Sequence, residues 1–391
     1  MKILLHDFAG HPFQAQLSRE LARRGHDVTH AFCGGVTTGR GDLRRRPGDP
    51  GGLRFVDCST GAFERYDPLR RMRGEVAYGR SVGALLRALR PDAVVSANTP
   101  LVAQALLWRA AARAGTRRVY WLQDFLGRGT RAVLAARSRL LGDTAGRALE
   151  ALETRLLGRS AAIIAIADDF VRALAERGVD APTTVVENWA PLDELVLRPK
   201  RNAWSEAVGL ADRPVALYSG TLGLKHDPRH LVRAAEVLGA AGEIVVITEG
   251  RGRDTLEAAR RERGLTNLHL FDYVDYALLP DVLGAADVTL ALLESDAGTF
   301  SVPSKVLSYL AAGRAVVAAV PEANLAARVL RRSGAGAVVR PGDHDGFAAH
   351  VRDLLADPER CARQGRSGRA YAEEHFEIGR IADAVLAVVA R

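Results

Sequence analysis

Cysteine is scarce in this chain. The three present (Cys33, Cys58 and Cys361) are an odd number and show no metal-ligand spacing. That argues against a disulfide scaffold or a zinc site and fits a reducing cytoplasm best. No apolar run approaches the ~18 residues of a spanning helix. The apolar part of Met1-Lys2-Ile3-Leu4-Leu5 is too short for a signal peptide and reads as a first β-strand. A convincing Asp-x-Asp motif is missing, so no metal or other cofactor is expected. Helix-turn-helix, RNA-binding sheet and zinc-module signatures are also missing, which argues against a nucleic-acid partner despite the net charge of +8. Acidic residues are short in one half only. Residues 1–190 hold 29 Lys+Arg against 19 Asp+Glu, a surplus of 10, whereas residues 191–391 hold 25 against 27. The partner of the first half is therefore expected to be anionic, or to lie on an anionic surface.

What is present is an alternation of short apolar strands and amphipathic helices. Strands are predicted near Lys2–Leu5, Asp27–Phe32, Asp92–Ser96, Arg118–Leu122 and Ala161–Ile166, with a closing strand and turn at Val185–Trp189. The pattern restarts with strands at Val215–Ser219, Ile244–Thr248, Leu268–Phe271, Val288–Leu292, Ala315–Ala319 and Ala337–Val339. Helices fall between them, including Asp254–Arg263 and Ser304–Ala312. Such alternation predicts parallel sheets with right-handed crossovers. The fold class is α/β, with two doubly wound Rossmann-like domains facing a cleft. The predicted boundaries are an N-terminal domain over 1–190, a Pro-containing linker over 191–202, a C-terminal domain over 203–375 and a terminal helix over 376–391.

Ligands of open α/β sheets bind outside the carboxyl ends of the strands, and the residues there are suggestive. Gly220-Thr-Leu-Gly223-Leu-Lys225 follows a strand and precedes a helix. Its glycines let the backbone approach a ligand, and Lys225 adds a point charge. Glu249-Gly250-Arg251 repeats the theme with an arginine, whose forked donors suit phosphate. Val302-Pro303-Ser304-Lys305 leads into a helix, with Ser304 as the expected N-cap and Lys305 beside the exposed amides of the first turn. Two lysines and an arginine at successive strand ends point to a diphosphate. In the first half, His11, Asn98, Gln123 and Asp124 each fall just after a predicted strand, which converges them on one end of that domain.

These residues resemble the retaining glycosyltransferases of family 4, which have the GT-B fold. The resemblance runs nearly end to end, through Gly10-His11-Pro12, Asp92-Ala-Val-Val, Tyr120-Trp-Leu-Gln-Asp124, Val186-Glu-Asn-Trp189 and Tyr218-Ser-Gly-Thr-Leu-Gly-Leu-Lys225. It continues through Phe271-Asp-Tyr-Val274 and, most specifically, Val302-Pro-Ser-Lys305 with Tyr309-Leu-Ala-Ala-Gly313. The nearest flavour is the bacterial capsule and colanic-acid type with a Pro-Ser-Lys donor loop. The resemblance implies a nucleoside diphosphate sugar, UDP-linked, held by the C-terminal domain. Lys225, Lys305 and Arg251 would face the diphosphate, and Tyr273 and Val274 would flank the base. Gly10, His11, Asn98, Gln123 and Asp124 would serve a hydroxyl acceptor, either a lipid-linked saccharide or a small natural product. The terminal helix would pack back on the N-terminal domain.

Departures accompany it. The family carries two glutamates eight residues apart. Ser308 stands at the second, which binds the ribose, and the first falls near Phe300, so Glu294 or Asp296 upstream would have to substitute. The usual acceptor-domain histidine falls at Gln123. A GT-B nucleotide-sugar epimerase and a non-catalytic nucleotide-sugar-binding protein remain as alternatives. Arginines at 65–90 and 128–159, interleaved with leucines, are consistent with solvated helices or with peripheral contact to the inner membrane face.

Overall fold

A computed structural model describes the chain except for residues 37–39, 63–66, 98, 224 and 297–301, and the side chains at 68, 136, 137 and 251. The chain divides into two compact units, Met1–Asn188 with Ile378–Arg391, and Trp189–Glu377.

The first unit is built on seven parallel strands: β1 (Lys2–Asp7), β2 (Asp27–Phe32), β3 (Leu53–Asp57), β4 (Ala93–Ala97), β5 (Arg117–Leu122), β6 (Ala162–Ala165) and β7 (Thr183–Val185). Their spatial order is β3-β2-β1-β4-β5-β6-β7. The helices are α1 (Pro12–Arg23), α2 (Pro68–Leu89), α3 (Leu101–Ala114), α4 (Leu126–Arg137), α5 (Arg139–Leu141), α6 (Arg147–Gly158) and α7 (Asp168–Glu176), with a π-helical turn at Gly142–Gly146. β4 is buried at every residue, as a strand covered on both faces must be, and its sequence Ala-Val-Val-Ser-Ala is correspondingly apolar. β3 escaped the sequence reading because Leu53-Arg-Phe-Val-Asp is an edge strand with only Leu53 buried. The closing strand, expected with a turn over Val185–Trp189, lies earlier and ends at Val185.

The second unit carries β8 (Val215–Ser219), β9 (Glu243–Ile247), β10 (Leu268–Phe271), β11 (Val288–Leu292), β12 (Ala315–Ala319) and β13 (Gly336–Val339) in the order β10-β9-β8-β11-β12-β13. Its helices are α8 (Ala203–Ala207), α9 (Arg229–Leu238), α10 (Arg251–Arg263), α11 (Leu279–Gly284), α12 (Lys305–Ala311), α13 (Leu325–Ser333), α14 (His344–Leu355) and α15 (Pro358–His375). Phe347, Val351 and Leu354 of α14 join Leu231 and Ala235 of α9 in a core against the sheet. α10 begins at Arg251, three residues before the expected Asp254, because the helix starts directly at Gly250.

Residues 191–202 are fastened to this second unit. Leu195 is buried, Lys200 pairs with Asp287, and the Asn202 side chain caps α8. The last helix, α16 (Ile378–Ala390), belongs to the first unit. Its Ile381, Val385, Val388 and Val389 are buried, and Arg24 of the α1 end donates to Asp383 and to the carbonyl of Gly379. In each sheet the chain reverses direction at one place, between β1 and β4 and between β8 and β11. That reversal opens a crevice at the carboxyl ends of those strands.

Val385→Asp buries a charge with no partner in the α16 interface. It is expected to destabilise the protein by about 3 kcal/mol or more, read as a lower midpoint in urea unfolding.

Candidate functional site

In the second unit, the loop after β8 is held rigidly. The Tyr218 hydroxyl donates to the Thr221 carbonyl at 2.7 Å, the Ser219 N–H donates to the Tyr309 hydroxyl at 3.0 Å, and Thr221 Oγ1 meets the Tyr273 hydroxyl at 2.9 Å. Gly220, with φ of 131°, takes a conformation that side chains disfavour. A Cβ there would lie 3.2 Å from Lys305 Cε and 3.3 Å from its Nζ. Lys305 thus reaches from the first position of α12 to the end of β8. Its ammonium sits 3.6 Å from the centroid of the Tyr218 ring. Nζ is buried and has no hydrogen-bond partner among the described residues. Burial pushes its pKa well below the ordinary lysine value.

His226 marks the same spot from another side. The Gly223 N–H donates to its Nδ1 at 3.1 Å. Burial, together with the charges of Lys305 and Lys225, lowers its pKa to about 3. Two lysines therefore bear on one neutral imidazole at the end of β8. The N-terminus of α10 approaches the same loop. A Cβ on Gly252 would lie 2.4 Å from Leu222 Cβ and from its carbonyl oxygen, so only glycine admits that contact. Gly220, Thr221, Gly223, Lys225, Lys305 and Tyr273 are thus brought together, with Glu249 and Gly250 at the end of β9. Val274 follows Tyr273 at the end of β10. The side chain of Arg251 lies outside the described residues.

Ser304 is a correction. It has helical dihedrals (φ −58°, ψ −22°) and makes no capping bond, since a cap needs extended backbone. Val302 and Pro303 precede it, and Ser308 sits half-buried one turn into α12, which is only seven residues long. The donors for an anion here are consequently side chains more than a helix terminus. Of the candidate substitutes for the absent glutamates, Glu294 donates its N–H to the Lys225 carbonyl at 2.9 Å. Its carboxyl is raised by burial and by the charge of Asp227. Asp227, His230 and His344 each offer a ligand atom within 4.8 Å of the others. Asp227 is already committed, with Arg229 and His344 on its oxygens, and these hold its carboxyl well below the usual range although burial opposes it.

In the first unit, the chemistry begins with Asp7, which the sequence reading passed over as the end of β1. Its carboxylate is fully buried. It accepts the N–H of Ala9 at 3.2 Å, the N–H of His11, and His11 Nδ1 at 3.0 Å. Burial alone would raise Asp7, but the charge and bonds of His11 win and bring it to about 2. Burial alone would lower His11, but Asp7, with a smaller contribution from the charge of Asp124, raises it above 6.5. The neighbouring His6 and His30 go the other way, to about 4, through burial. His6 is held by Ser96 and Tyr78, and His30 by Ser18. Among these three histidines only His11 is poised to be charged near neutrality. His11 and Asp124 are therefore brought together, and the Gly10 N–H bonds the Asp7 carbonyl at 3.2 Å. Gln123 is not directed at a ligand in the same way, because its amide exchanges hydrogen bonds with Asn188 at 3.0 and 2.6 Å. Asn98 lies outside the described residues. The i, i+4 spacing of Asp7 and His11 across a strand end was the signal available for finding this pair.

Two parallel α/β units with these sites define a class, and comparison with known proteins agrees. A Glycosyl transferase 4-like domain matches residues 10–189, and Glycosyl transferases group 1 matches residues 200–371. The chain is a glycosyltransferase with the GT-B fold, of the family 4 type. A protein of Escherichia coli (strain K12), WcaI, named as a colanic acid biosynthesis glycosyl transferase, is 26% identical over 302 residues, 74% of this chain and 72% of that one. Among solved structures, sucrose-phosphate synthase from Thermosynechococcus elongatus superposes with a TM-score of 0.72 at 16% identity, covering 98% of this chain and 96% of that one. Anabaena HepE in complex with UDP-glucose gives 0.72 at 16% identity, over 100% and 99%. These relatives favour neither an epimerase nor a non-catalytic binder.

The histidine pair yields a test. The stability that His11 contributes is fully present below pH 6.5 and is lost as pH rises through its raised folded value. In Asp7→Asn only burial remains as the dominant influence, so His11 is expected to titrate below 6.5 by NMR, against above 6.5 in the parent.

Proposed function

We propose that this glycosyltransferase moves a sugar from a UDP-linked donor to a hydroxyl acceptor with retention at the anomeric carbon, using side-chain cations in place of a metal. The observation that carries this reading is the buried, unbonded ammonium of Lys305 at the carboxyl end of β8. A buried donor left without a partner costs about 1–3 kcal/mol, and more when charged. A diphosphate oxygen would remove that cost and restore the proton that burial disfavours. Lys225, whose charge bears on the same imidazole of His226, would share the charge, and Arg251 is assigned to it from the sequence.

In this reading the acceptor oxygen bonds to the anomeric carbon on the face from which the diphosphate departs. The carbon–oxygen bond to phosphate breaks, and the acceptor proton passes to a diphosphate oxygen. Negative charge grows on the leaving group, where Lys225, Lys305 and Arg251 stabilise it. Gly220, Thr221, Gly223, Glu249 and Gly250 line the donor, Tyr273 and Val274 flank the base, and Val302, Pro303, Ser304 and Ser308 complete the approach to the ribose and phosphates. The acceptor is held by the first unit, with Asp124 and the charged His11 positioning an anionic, lipid-linked saccharide. The UDP-glucose in HepE and the UDP-2-fluoro glucose in an E. coli trehalose-6-phosphate structure support the choice of nucleotide.

Lys305→Ala and Lys225→Ala are each expected to lower transfer by roughly 10²-fold or more, the scale of removing one oxyanion-type donor. UDP should raise the melting temperature of the parent protein, and much less that of Lys305→Ala. Transfer undiminished in both variants, or loss of activity on adding EDTA, would count against the assignment.

A further inference from the structure

Apart from Met1, the large apolar side chains that the first unit leaves in water among the described residues are gathered on two features. Val133, Leu140 and Leu141 (39%, 72% and 45% exposed) lie on the helical excursion between β5 and β6. Leu69 and Met72 (75% and 47%) lie at the start of α2. Topology brings both to one rim. In a parallel sheet a helix that follows a strand begins at that strand's carboxyl edge, and α2 follows β3 while α4 follows β5. α4 and α6 then run antiparallel, since glycine positions at 127, 142 and 146 lie against Glu150, Ala135 and Arg131 respectively. α6 leads down to the start of β6, so the turn made by α5 and residues 142–146 projects outward, roughly 15 Å beyond the start of α4 at 1.5 Å per residue.

The same features are basic. Arg128 and Arg139 are exposed and have no carboxylate partner among the described residues, while Arg131 and Arg147 share Asp143 and Glu150. At the start of α2, Arg73 is likewise exposed and unpaired, beside Arg70 and Arg71. Bare leucines ringed by arginines on short helices have the composition of elements that lie in a lipid interface. A second copy of this chain suits the surface poorly, because a two-fold contact would set arginine against arginine.

We infer that the rim formed by the α4–α6 hairpin and the start of α2 docks on an anionic lipid bilayer. Leu140 and Leu141 enter the acyl boundary, and the arginines contact the headgroups. The inference deepens the acceptor reading above. His11 and Asp124 lie at the carboxyl edge of the same sheet, so docking by this rim delivers a lipid-linked acceptor to them.

The test is flotation of the full chain with vesicles of phosphatidylcholine and phosphatidylglycerol, against phosphatidylcholine alone, at low and high salt. The protein is expected to float with the anionic vesicles at low salt only. Leu140→Asp with Leu141→Asp should cut the bound fraction about tenfold while the melting shift with UDP stays as in the parent. Because both leucines are exposed, this variant is expected to fold. Absence of flotation, flotation equal on neutral vesicles, or a double variant that floats like the parent would overturn the proposal. A dimer in solution that the double variant converts to monomer, without flotation, would overturn it in favour of a second copy. A missing UDP shift in the parent protein would tell against the donor reading and leave the flotation result standing.

Discussion

Parallel pairing is the constraint on which the rest depends. Within each sheet every strand points the same way, so the carboxyl ends of that sheet's strands fall on one edge. Helices must return the chain across the faces, which forces the strands to be apolar on both sides and pushes polar chemistry out to that edge. Where the winding reverses, neighbouring loops diverge and leave room for a ligand. His11 follows β1 and Gly220 follows β8, each at such a reversal. The candidate groups of both units are thus consequences of topology before they are consequences of chemistry.

At those edges the two units use burial in opposite ways. Around β8, burial lowers the proton affinity of Lys305 and His226 and leaves Lys305 Nζ over the Tyr218 ring with no hydrogen-bond partner among the described residues. The surrounding half of the chain carries a slight acidic excess, so the cations at the end of β8 are a few placed groups and not part of a general positive field. Around β1, burial is overcome. Asp7 is held low and His11 high because each is the other's partner within a closed loop. One site is arranged to receive charge from a ligand, and the other carries its own compensated charge. That contrast matches a unit for a diphosphate and a unit for an acceptor.

Much of this was legible in the residues. Strands such as Val215–Ser219 and Val288–Leu292 read correctly because a buried parallel strand is a short, largely apolar run bounded by turn residues. The glycine-and-lysine loop was placed after a strand from its sequence, and the structure sets it at the carboxyl end of β8. β3 did not, because an edge strand keeps polar residues and loses the apolar signature. Ser304 misled because a serine before a helix is a cap only if its own backbone is extended, and here it is already helical. The pairing of Gln123 with Asn188 was not legible, because the two are 65 residues apart.

The sequence alone determined the alternation of strands and helices, the basic and acidic halves, the family and the chemical types at the strand ends. These are properties of local pattern and composition, which survive without knowledge of contacts. Only the tertiary structure decided that residues 191–202 are bound to the second unit, whereas the return of α16 to the first was already implied by the family resemblance. The tertiary structure also decided that Lys305 Nζ has no hydrogen-bond partner among the described residues, that Asp7 raises the pKa of His11, and that the exposed leucines and arginines share one rim. Each of those depends on distances between residues far apart in the chain, and on how far burial removes water from them. Neither is written in any single segment.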